Sequence, residues 1–163
     1  MEQHFISLIN QHRGILYKIC NLYCDDDEDK KDLFQEIVIQ LWRSFPAFRN
    51  DSKPSTWMYR VGLNTAISNF RKESRKPERF PLSDKELQIP DLEEMSLKNE
   101  QLGLLKKAIE KLNQIEKAII MLYLDEKSYD EISDIIGITR TNVGVRINRI
   151  KSKLENIIKH TRS

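Results

Sequence analysis

The segment from Ser128 to Leu154 constrains the fold more than any other part of the chain, because it has the pattern of two short helices joined by a tight turn. In the first helix, isoleucines recur at helical spacing and the acidic residues fall elsewhere. Gly137 can take the left-handed backbone conformation that ends a helix, and Thr139 or Thr141 can cap the next helix. The segment is therefore predicted to be a helix-turn-helix.

The second helix of this segment has an apolar edge and a small, polar edge. Its apolar residues lie within a stripe roughly 60° wide on a helical projection, and they are Val143, Ile147, Ile150 and Leu154. The opposite edge carries Thr141, Gly144, Val145, Asn148 and Arg149, with Arg140, Arg146, Lys151 and Lys153 around and beyond it. A narrow, hydrogen-bonding, basic edge of this kind suits the major groove of DNA.

A helix pair with a glycine turn can also pack against another protein. Two features favour DNA over that alternative. The acidic residues lie on the first helix, and the second helix has no acidic residue before Glu155. The polar edge also lacks the bulky apolar groups that a protein-packing helix would present.

The net charge of +2 says little about nucleic acid, but the distribution of charge is informative. Residues 71–80 and 102–163 carry an excess of lysine and arginine, whereas residues 81–101 carry an excess of aspartate and glutamate. An acidic spacer between two basic zones predicts separate contacts rather than one uniform surface.

The sequence contains no constellation typical of an enzyme. It has three histidines and no glycine-rich phosphate loop, and its cysteines, Cys20 and Cys24, lie among apolar residues. This setting favours a reduced, helix-packing pair, since a metal site would need His4 and His12 as further ligands. There is no signal-peptide pattern and no apolar run near the ~20 residues of a membrane span. We predict a cytoplasmic, non-enzymatic protein without a cofactor or metal.

Apolar periodicity predicts three helices in the first half of the chain. The first runs from Glu2 to Cys24, and the second runs from the acidic stretch at 25–32 to about Ser44, where Pro46 ends it. Its core edge consists of Leu33, Ile37, Leu41 and Phe45. After a loop at 46–55, Ser55 or Thr56 can cap a third helix that reaches about Ser74.

The second half of the chain begins with a linker. Residues 76–95 contain three prolines and little periodicity, and a helix resumes near Ser96. The predicted core face of that helix consists of Leu102, Leu105, Ile109 and Leu112, and another apolar helix follows at 114–124. With no strand pattern, we predict an all-α fold in which two small helical domains, 1–75 and 96–163, are joined by a flexible linker.

Aromatic residues mark the start of the third helix. Trp57 and Tyr59 follow a polar loop, and this arrangement can form a platform for bases taken out of a duplex. The same residues can equally belong to the hydrophobic core, an interpretation that the pattern favours for Trp57 in particular. Both interpretations remain open at the level of the sequence.

Several motifs occur in a defined order: DLFQE at 32–36, LW at 41–42, FRND at 48–51 and TWMYRVGLNTA at 56–66. With the linker and the helix-turn-helix that follow, they resemble the extracytoplasmic-function (ECF) sigma factors. These are the compact, two-domain members of the sigma-70 family of bacterial RNA polymerase specificity subunits. The resemblance extends over nearly the whole chain.

The resemblance implies an alternative sigma factor that binds core RNA polymerase and initiates transcription at promoters with −10 and −35 elements. The DLFQE helix would dock on the clamp coiled coil of the β′ subunit through Asp32, Gln35, Glu36, Ile39 and Arg43. The C-terminal domain would pack on the β flap and contact the −35 element through Arg140, Thr141, Asn142, Gly144, Val145, Asn148, Arg149, Lys151 and Lys153. Among these, Arg140, Lys151 and Lys153 would meet phosphates.

The loop and helix after the DLFQE helix would recognise and open the −10 element. The implied DNA contacts are Phe48, Arg49, Asn50, Asp51, Ser52, Lys53, Trp57, Arg60, Asn64 and Arg71. Primary sigma factors have adjacent tryptophans where this chain has Trp57 and Met58, and an aromatic residue where it has Pro54. This departure predicts that the protein works only on well-matched promoters. Met58→Trp would then relax its promoter stringency.

The family also implies an anti-sigma factor that covers the same surfaces, and an acidic linker that threads towards the active site and RNA exit path. From the residues alone, the linker could equally be a solvated tether. One alternative is a dimeric helix-turn-helix regulator that binds DNA without the polymerase, with residues 1–75 as an effector or dimerisation domain. A second alternative is an interaction protein such as an adaptor or anti-sigma partner, but that function would leave the basic helix without a role.

Overall fold

The computed structural model describes residues 2–48, 53–74 and 100–162, without the side chains of residues 70–74, 100–101 and 162. Every regular element in these ranges is helical, which confirms the all-α prediction. The α-helices are α1 (Glu2–Gln11), α2 (Arg13–Tyr23), α3 (Asp27–Ser44), α4 (Pro54–Ser74), α5 (Glu100–Glu110), α6 (Gln114–Leu124), α7 (Tyr129–Ile136) and α8 (Arg140–Arg162). A 3-10 turn, Phe45–Ala47, follows α3.

The helices form two compact units. Helices α1 to α4 belong to the first unit, and most residues from α5 onward belong to the second. The predicted linker at 76–95 and the predicted helix start near Ser96 lie outside the described residues. The predicted domain boundaries therefore stay a prediction.

The first unit packs α2, α3 and α4 around a shared core. Leu16, Ile19 and Ile37 are fully buried there. Gly62 allows α4 to approach α2 closely, because a Cβ atom at this position would lie 2.6 Å from Cδ1 of Ile19.

Burial also raises the pKa of the Cys20 thiol to about 11, although the charge of Lys30 opposes this rise. The thiol is therefore protonated and unreactive near neutral pH.

The prediction of one continuous helix from Glu2 to Cys24 is wrong, because the chain leaves the helical conformation at His12. This residue has φ −120° and ψ 24°, and its N–H donates to the carbonyls of Leu8 and Ile9 at 3.2 Å each. Gly14, a weak helix former, follows the break. The apolar pattern continues through both helices, so periodicity alone does not reveal the interruption.

Helix α3 begins and ends as predicted. Asp26 caps its start by accepting a hydrogen bond from the N–H of Glu28 at 3.3 Å, and the acidic first turn suits the amide-rich helix N-terminus. The helix ends at Ser44, and Pro46 lies in the 3-10 turn that follows. The predicted core edge of α3 is buried, with Ile37 and Leu41 fully enclosed.

Helix α4 begins at Pro54, so the predicted cap at Ser55 or Thr56 is wrong. Proline suits the first helical position because its φ is preset and the N–H that it lacks would have no partner there. The N–H of Trp57 donates to the carbonyl of Lys53 at 3.2 Å, which places Lys53 at the cap position. Ser55 and Thr56 therefore lie inside the first turn.

The second unit is built around α6. Asn113 forms a capping box with Glu116: the N–H of Glu116 donates to the Asn113 side chain at 2.8 Å, and the N–H of Asn113 donates to Oε1 of Glu116 at 3.0 Å. On α5, Ala108 is buried, and so is Leu112 just beyond it, whereas Leu102 is 61% exposed. The prediction that Leu102 packs in the core is wrong, because the apolar face of α5 is covered only towards its C-terminal end.

Helices α7 and α8 form the predicted helix-turn-helix. The side chain of Ser128 caps α7 by accepting from the N–H of Glu131 at 3.1 Å. Gly137 ends α7 with φ +85°, and the Ser133 hydroxyl donates to the carbonyl of Ile138 at 2.5 Å. Of the two candidate caps for α8, Thr139 is the one used, since its Oγ1 accepts from the N–H of Asn142 at 3.1 Å.

Candidate interaction sites

The buried edge of α8 matches the predicted stripe. Val143 and Ile147 are fully enclosed, Ile150 is nearly so, and Leu154 is 6% exposed. The rotation of α8 about its axis is therefore the one that the apolar spacing predicts. The opposite edge must face away from the core of the second unit.

The exposed edge of α8 presents most of the residues that the sequence placed there. Thr141, Asn142, Asn148 and Arg149 are exposed, and Val145 is 41% exposed. These side chains offer hydroxyl, amide and guanidinium groups, which are the groups that read base edges and phosphates in DNA.

Gly144 has a different environment from its neighbours on that edge. It is half-buried, and a Cβ atom placed on it would lie 3.4 Å from Cε2 and 3.9 Å from Cδ2 of Tyr129 on α7. The Tyr129 ring therefore lies against this turn of α8. A side chain at position 144 would therefore meet the Tyr129 ring, a contact that spacing within α8 cannot reveal.

The three cations predicted to meet phosphates all contact other side chains in the second unit. Arg140 Nε lies 3.6 Å from Oδ1 of Asp130, and this exposed pair sits at the start of α8. Lys151 Nζ lies 4.5 Å from the centre of the Tyr123 ring. A side-chain hydrogen bond with Tyr123 raises the pKa of Lys151.

Lys153, the third of these cations, forms an ion pair between α8 and α6. Its Nζ lies 3.0 Å from Oε1 of Glu116, the residue that also completes the cap of α6. Burial raises the pKa of Glu116, but the hydrogen bond from the Asn113 backbone, the Lys153 ammonium and the charge of Arg146 outweigh it, so the pKa falls below its usual range. The carboxylate is therefore ionised at neutral pH.

The outer face of α3 carries the residues predicted to contact the polymerase clamp. Asp32, Gln35 and Arg43 are exposed, and Ile39 is 44% exposed. Glu36 is half-buried and accepts a hydrogen bond from Gln40 at 3.1 Å. This face is polar with an apolar centre.

Trp42 also lies on this face, although it is not among the predicted contacts. Trp42 is 45% exposed, although its ring packs edge-on against Phe5 of α1 with centroids 5.0 Å apart. Because Trp42 follows Ile39 by three residues on the same helix, helical spacing could have identified it. The two side chains give α3 an exposed apolar strip.

Trp57 lies in the core, although it is among the predicted DNA contacts. Only 8% of it is exposed, and its ring stacks on that of Phe48 with centroids 4.5 Å apart and planes 13° apart. Phe45 packs on it at 6.1 Å. Tyr59 is also buried, at 1% exposure, so the structure supports the core interpretation of both aromatic residues over the platform interpretation.

Met58 is fully buried as well, which removes the basis of the predicted Met58→Trp test. That prediction assumed a side chain that could reach DNA. An indole in place of this thioether would overpack the core between the helices of the first unit. The substitution would therefore report on stability rather than on promoter stringency.

The remaining predicted −10 contacts divide between described and undescribed residues. Lys53, Arg60 and Asn64 are exposed, and Phe48 is half-buried beneath its stacking contact. Arg60 and Asn64 lie four residues apart, so they share one face of α4. The predicted contacts at 49–52 and the side chain of Arg71 lie outside the described residues.

The described ranges contain no group of three or more histidine, cysteine, aspartate or glutamate side chains that could hold a metal ion. Within the same ranges, no helix combines the length and apolar character that crossing a membrane would require.

Comparison with known proteins gives two family matches. Residues 8–76 match Sigma-70 region 2, and residues 102–154 match Sigma-70, region 4. The first match covers α3 and α4, and the second covers the helix-turn-helix. The outer face of α3 thus falls in the region 2 match, and the exposed edge of α8 falls in the region 4 match.

Individual relatives agree with these matches. The chain is 30% identical to the ECF RNA polymerase sigma-E factor of Escherichia coli strain K12, over 78% of this chain and 73% of the relative. It is 24% identical to the ECF RNA polymerase sigma factor SigW of Bacillus subtilis strain 168, over 94% of this chain and 88% of the relative.

Solved structures share the fold. CnrH in complex with the cytosolic domain of CnrY matches with a TM-score of 0.70 and 20% identity, over 98% of this chain and 90% of that chain. The sigma factor RpoE in complex with the anti-sigma factor NepR from Bartonella quintana matches with a TM-score of 0.64 and 18% identity, over 97% and 96%. The chain therefore belongs to the ECF sigma factors of the sigma-70 family.

Proposed function

We propose that this protein is an alternative sigma factor that joins core RNA polymerase and selects promoters by their −10 and −35 elements. The observation that carries the proposal is α8, whose apolar stripe is buried while Thr141, Asn148 and Arg149 are exposed on the opposite edge. In this assignment residues 1–75 act as region 2, residues 76–95 as an acidic linker, and residues 96–163 as region 4.

The outer face of α3 would bind the clamp of the polymerase. Its apolar strip, Ile39 and Trp42, is flanked by the polar residues Gln35 and Arg43. An apolar centre with a polar rim is the usual anatomy of a protein–protein interface. Trp42 extends the predicted contact set of Asp32, Gln35, Glu36, Ile39 and Arg43, and tryptophan is often a residue that dominates binding energy.

The exposed face of α4 would guide the opened −10 strand. Arg60 and Asn64 offer one charged and one neutral hydrogen-bonding group on the same side of the helix. Position 58 is a methionine, and both Trp57 and Met58 are buried. These two positions therefore present no tryptophan pair that could separate the bases. Strand opening would depend on the loop before α4 and on the polymerase.

The second unit would read the −35 element in the major groove. Asn148 and Arg149 can hydrogen-bond base edges, and a good bidentate contact contributes about 1–3 kcal/mol of discrimination. Arg140 and Lys151 lie on the flanks, where the phosphates of a bound duplex would run. Each would exchange its present partner, Asp130 or Tyr123, for a phosphate oxygen.

We further propose a cytoplasmic, non-catalytic subunit whose activity an anti-sigma factor controls. Two proteins with this fold were solved in complex with other proteins, one with the cytosolic domain of CnrY and one with the anti-sigma factor NepR. A partner of this kind would cover the strip formed by Ile39 and Trp42, because doing so would block the polymerase contact.

The test is in-vitro transcription with purified core polymerase, a promoter-containing genomic library and this protein. We expect discrete new start sites that share two sequence elements at fixed spacing. Ile39→Glu should abolish them, because it places a charge in the apolar centre of the proposed clamp contact. Ile6→Glu, at an exposed position of α1, is the matched control and should leave them unchanged.

Two outcomes would contradict the proposal. Absence of initiation, together with tight DNA binding by a dimer of this chain alone, would establish the helix-turn-helix regulator instead. Equal loss of initiation in both glutamate variants would remove the assignment of the clamp contact to α3.

A further inference from the structure

The recognition helix α8 is tied to α6 by the ion pair between Lys153 and Glu116. The two charged groups lie 3.0 Å apart, within hydrogen-bond distance. Lys153 is 47% exposed at its side chain and Glu116 only 19%, so the carboxylate is the more enclosed partner. Solvent and ligands therefore reach this pair mainly from the side of the lysine.

Glu116 is held in place independently of Lys153. Its Oε1 accepts the N–H of Asn113, and its own N–H donates to the Asn113 side chain, so the capping box orients the carboxylate. Lys153 has a long, flexible stem and loses rotamer freedom when it pairs. The acid is thus the preorganised half of the pair, and the lysine is the half that moves.

We propose that Glu116 is a positioning residue that holds the Lys153 ammonium against α6 and thereby limits sequence-independent attraction of the protein to DNA. The inference rests on the proposed function, since it assigns Lys153 to the flank of a DNA-reading helix. Each DNA phosphate that a protein cation neutralises increases the affinity of the protein for DNA, whatever the base sequence. A lysine that must first leave a carboxylate contributes less to that attraction than an unengaged lysine.

In the proposed function, this protein must find promoters as a subunit of the polymerase. Strong binding to any DNA would hold the free subunit on the chromosome, away from core enzyme. Restraining Lys153 reduces this binding without changing Asn148 or Arg149, which lie on the exposed edge of α8. Discrimination between base sequences is left to those residues.

The test measures binding of the full chain to a short, labelled duplex of mixed sequence by fluorescence anisotropy across a range of potassium chloride concentrations. Glu116→Gln keeps a side-chain acceptor for the capping box but removes the charge. We expect this variant to bind roughly three- to tenfold more tightly at low salt. The slope of log K against log salt should steepen by about 0.9, the value for one additional phosphate contact.

A double-mutant cycle separates this mechanism from a general change in net charge. In the Lys153→Gln background, Glu116→Gln should have no more effect than Glu110→Gln, a matched charge removal at an exposed position on α5. Equally, Lys153→Gln should lower affinity less in the wild type than in the Glu116→Gln background. This second comparison holds even if Glu116→Gln loses some stability, which thermal unfolding would reveal.

Three results would overturn the inference: an unchanged salt slope in Glu116→Gln, an effect equal to that of Glu110→Gln, or the same gain with and without Lys153. These results are distinct from failure of the proposed function. If the wild-type protein initiates transcription normally and the salt slope does not move, only the role of Glu116 is wrong. If the wild-type protein does not initiate with core polymerase, the proposed function itself is wrong.

Discussion

Gly62 and Gly144 show how the surroundings of a residue decide whether an added methyl group raises or lowers stability. Both lie inside helices, where glycine costs about 0.5–1 kcal/mol relative to alanine. A Cβ atom at Gly62 would lie 2.6 Å from Cδ1 of the fully buried Ile19, whereas at Gly144 it would meet the Tyr129 ring at an ordinary contact distance of 3.4 Å. Only the first position is too crowded for alanine.

We therefore expect the two alanine substitutions to change stability in opposite directions. Gly62→Ala should destabilise the protein by about 1–2 kcal/mol, because overpacking outweighs the gain in helix propensity. Gly144→Ala should stabilise it by about 0.5–1 kcal/mol. Scanning calorimetry of the full chain checks both, and a lower melting temperature for Gly144→Ala would show that the Tyr129 ring cannot accept the methyl group.

At the scale of an element, the start of α6 depends on an ionised carboxylate. The pKa of Glu116 lies below its usual value in the folded protein, so folding favours its charged form. The stability that it contributes is fully present above the unfolded pKa and is lost as the pH falls through the folded pKa. Acid should therefore weaken the cap and the Lys153 ion pair together.

Comparison of the wild type with Glu116→Gln measures this contribution. The difference in their free energies of unfolding should be largest near neutral pH and should shrink as the pH falls through the folded pKa of Glu116, because the carboxylate then becomes protonated. Denaturant titrations at several pH values provide the measurement. A difference that grows as the pH falls would mean that the carboxylate does not stabilise the folded state in its charged form.

At the scale of the whole molecule, the polymerase-bound protein should separate base reading from phosphate binding. Asn148→Ala should relax sequence preference at one −35 position by roughly tenfold, because it would remove the proposed base contact. Lys151→Ala should weaken binding to all sequences and reduce the salt slope by about 0.9. Holoenzyme binding to matched and altered promoters tests both, and uniform loss in the two variants would show that Asn148 does not read a base.

The region 2 match lies in the first unit, and most of the region 4 match lies in the second. The first unit carries the exposed strip of Ile39 and Trp42, and the second carries the exposed edge of α8. A change on one surface is therefore expected to leave the fold of the other unit intact.

The sequence by itself determined the features that are local to one helix. The stripe on α8, the acidic start of α3 and the left-handed turn at Gly137 all follow from the periodicity and backbone preferences of consecutive residues, and the structure contains each of them. The order of motifs likewise identified the family. Such signals are readable because their partners lie within one or two helical turns.

Only the tertiary structure decided which side chains are covered by distant parts of the chain. Trp57 and Met58 belong to the core, Gly144 lies against Tyr129, and Lys153 pairs with a carboxylate 37 residues earlier. A helical projection gives the relative angles of side chains on one helix but not what lies opposite each of them. That depends on how separate helices pack, which is set by contacts between residues far apart in the chain.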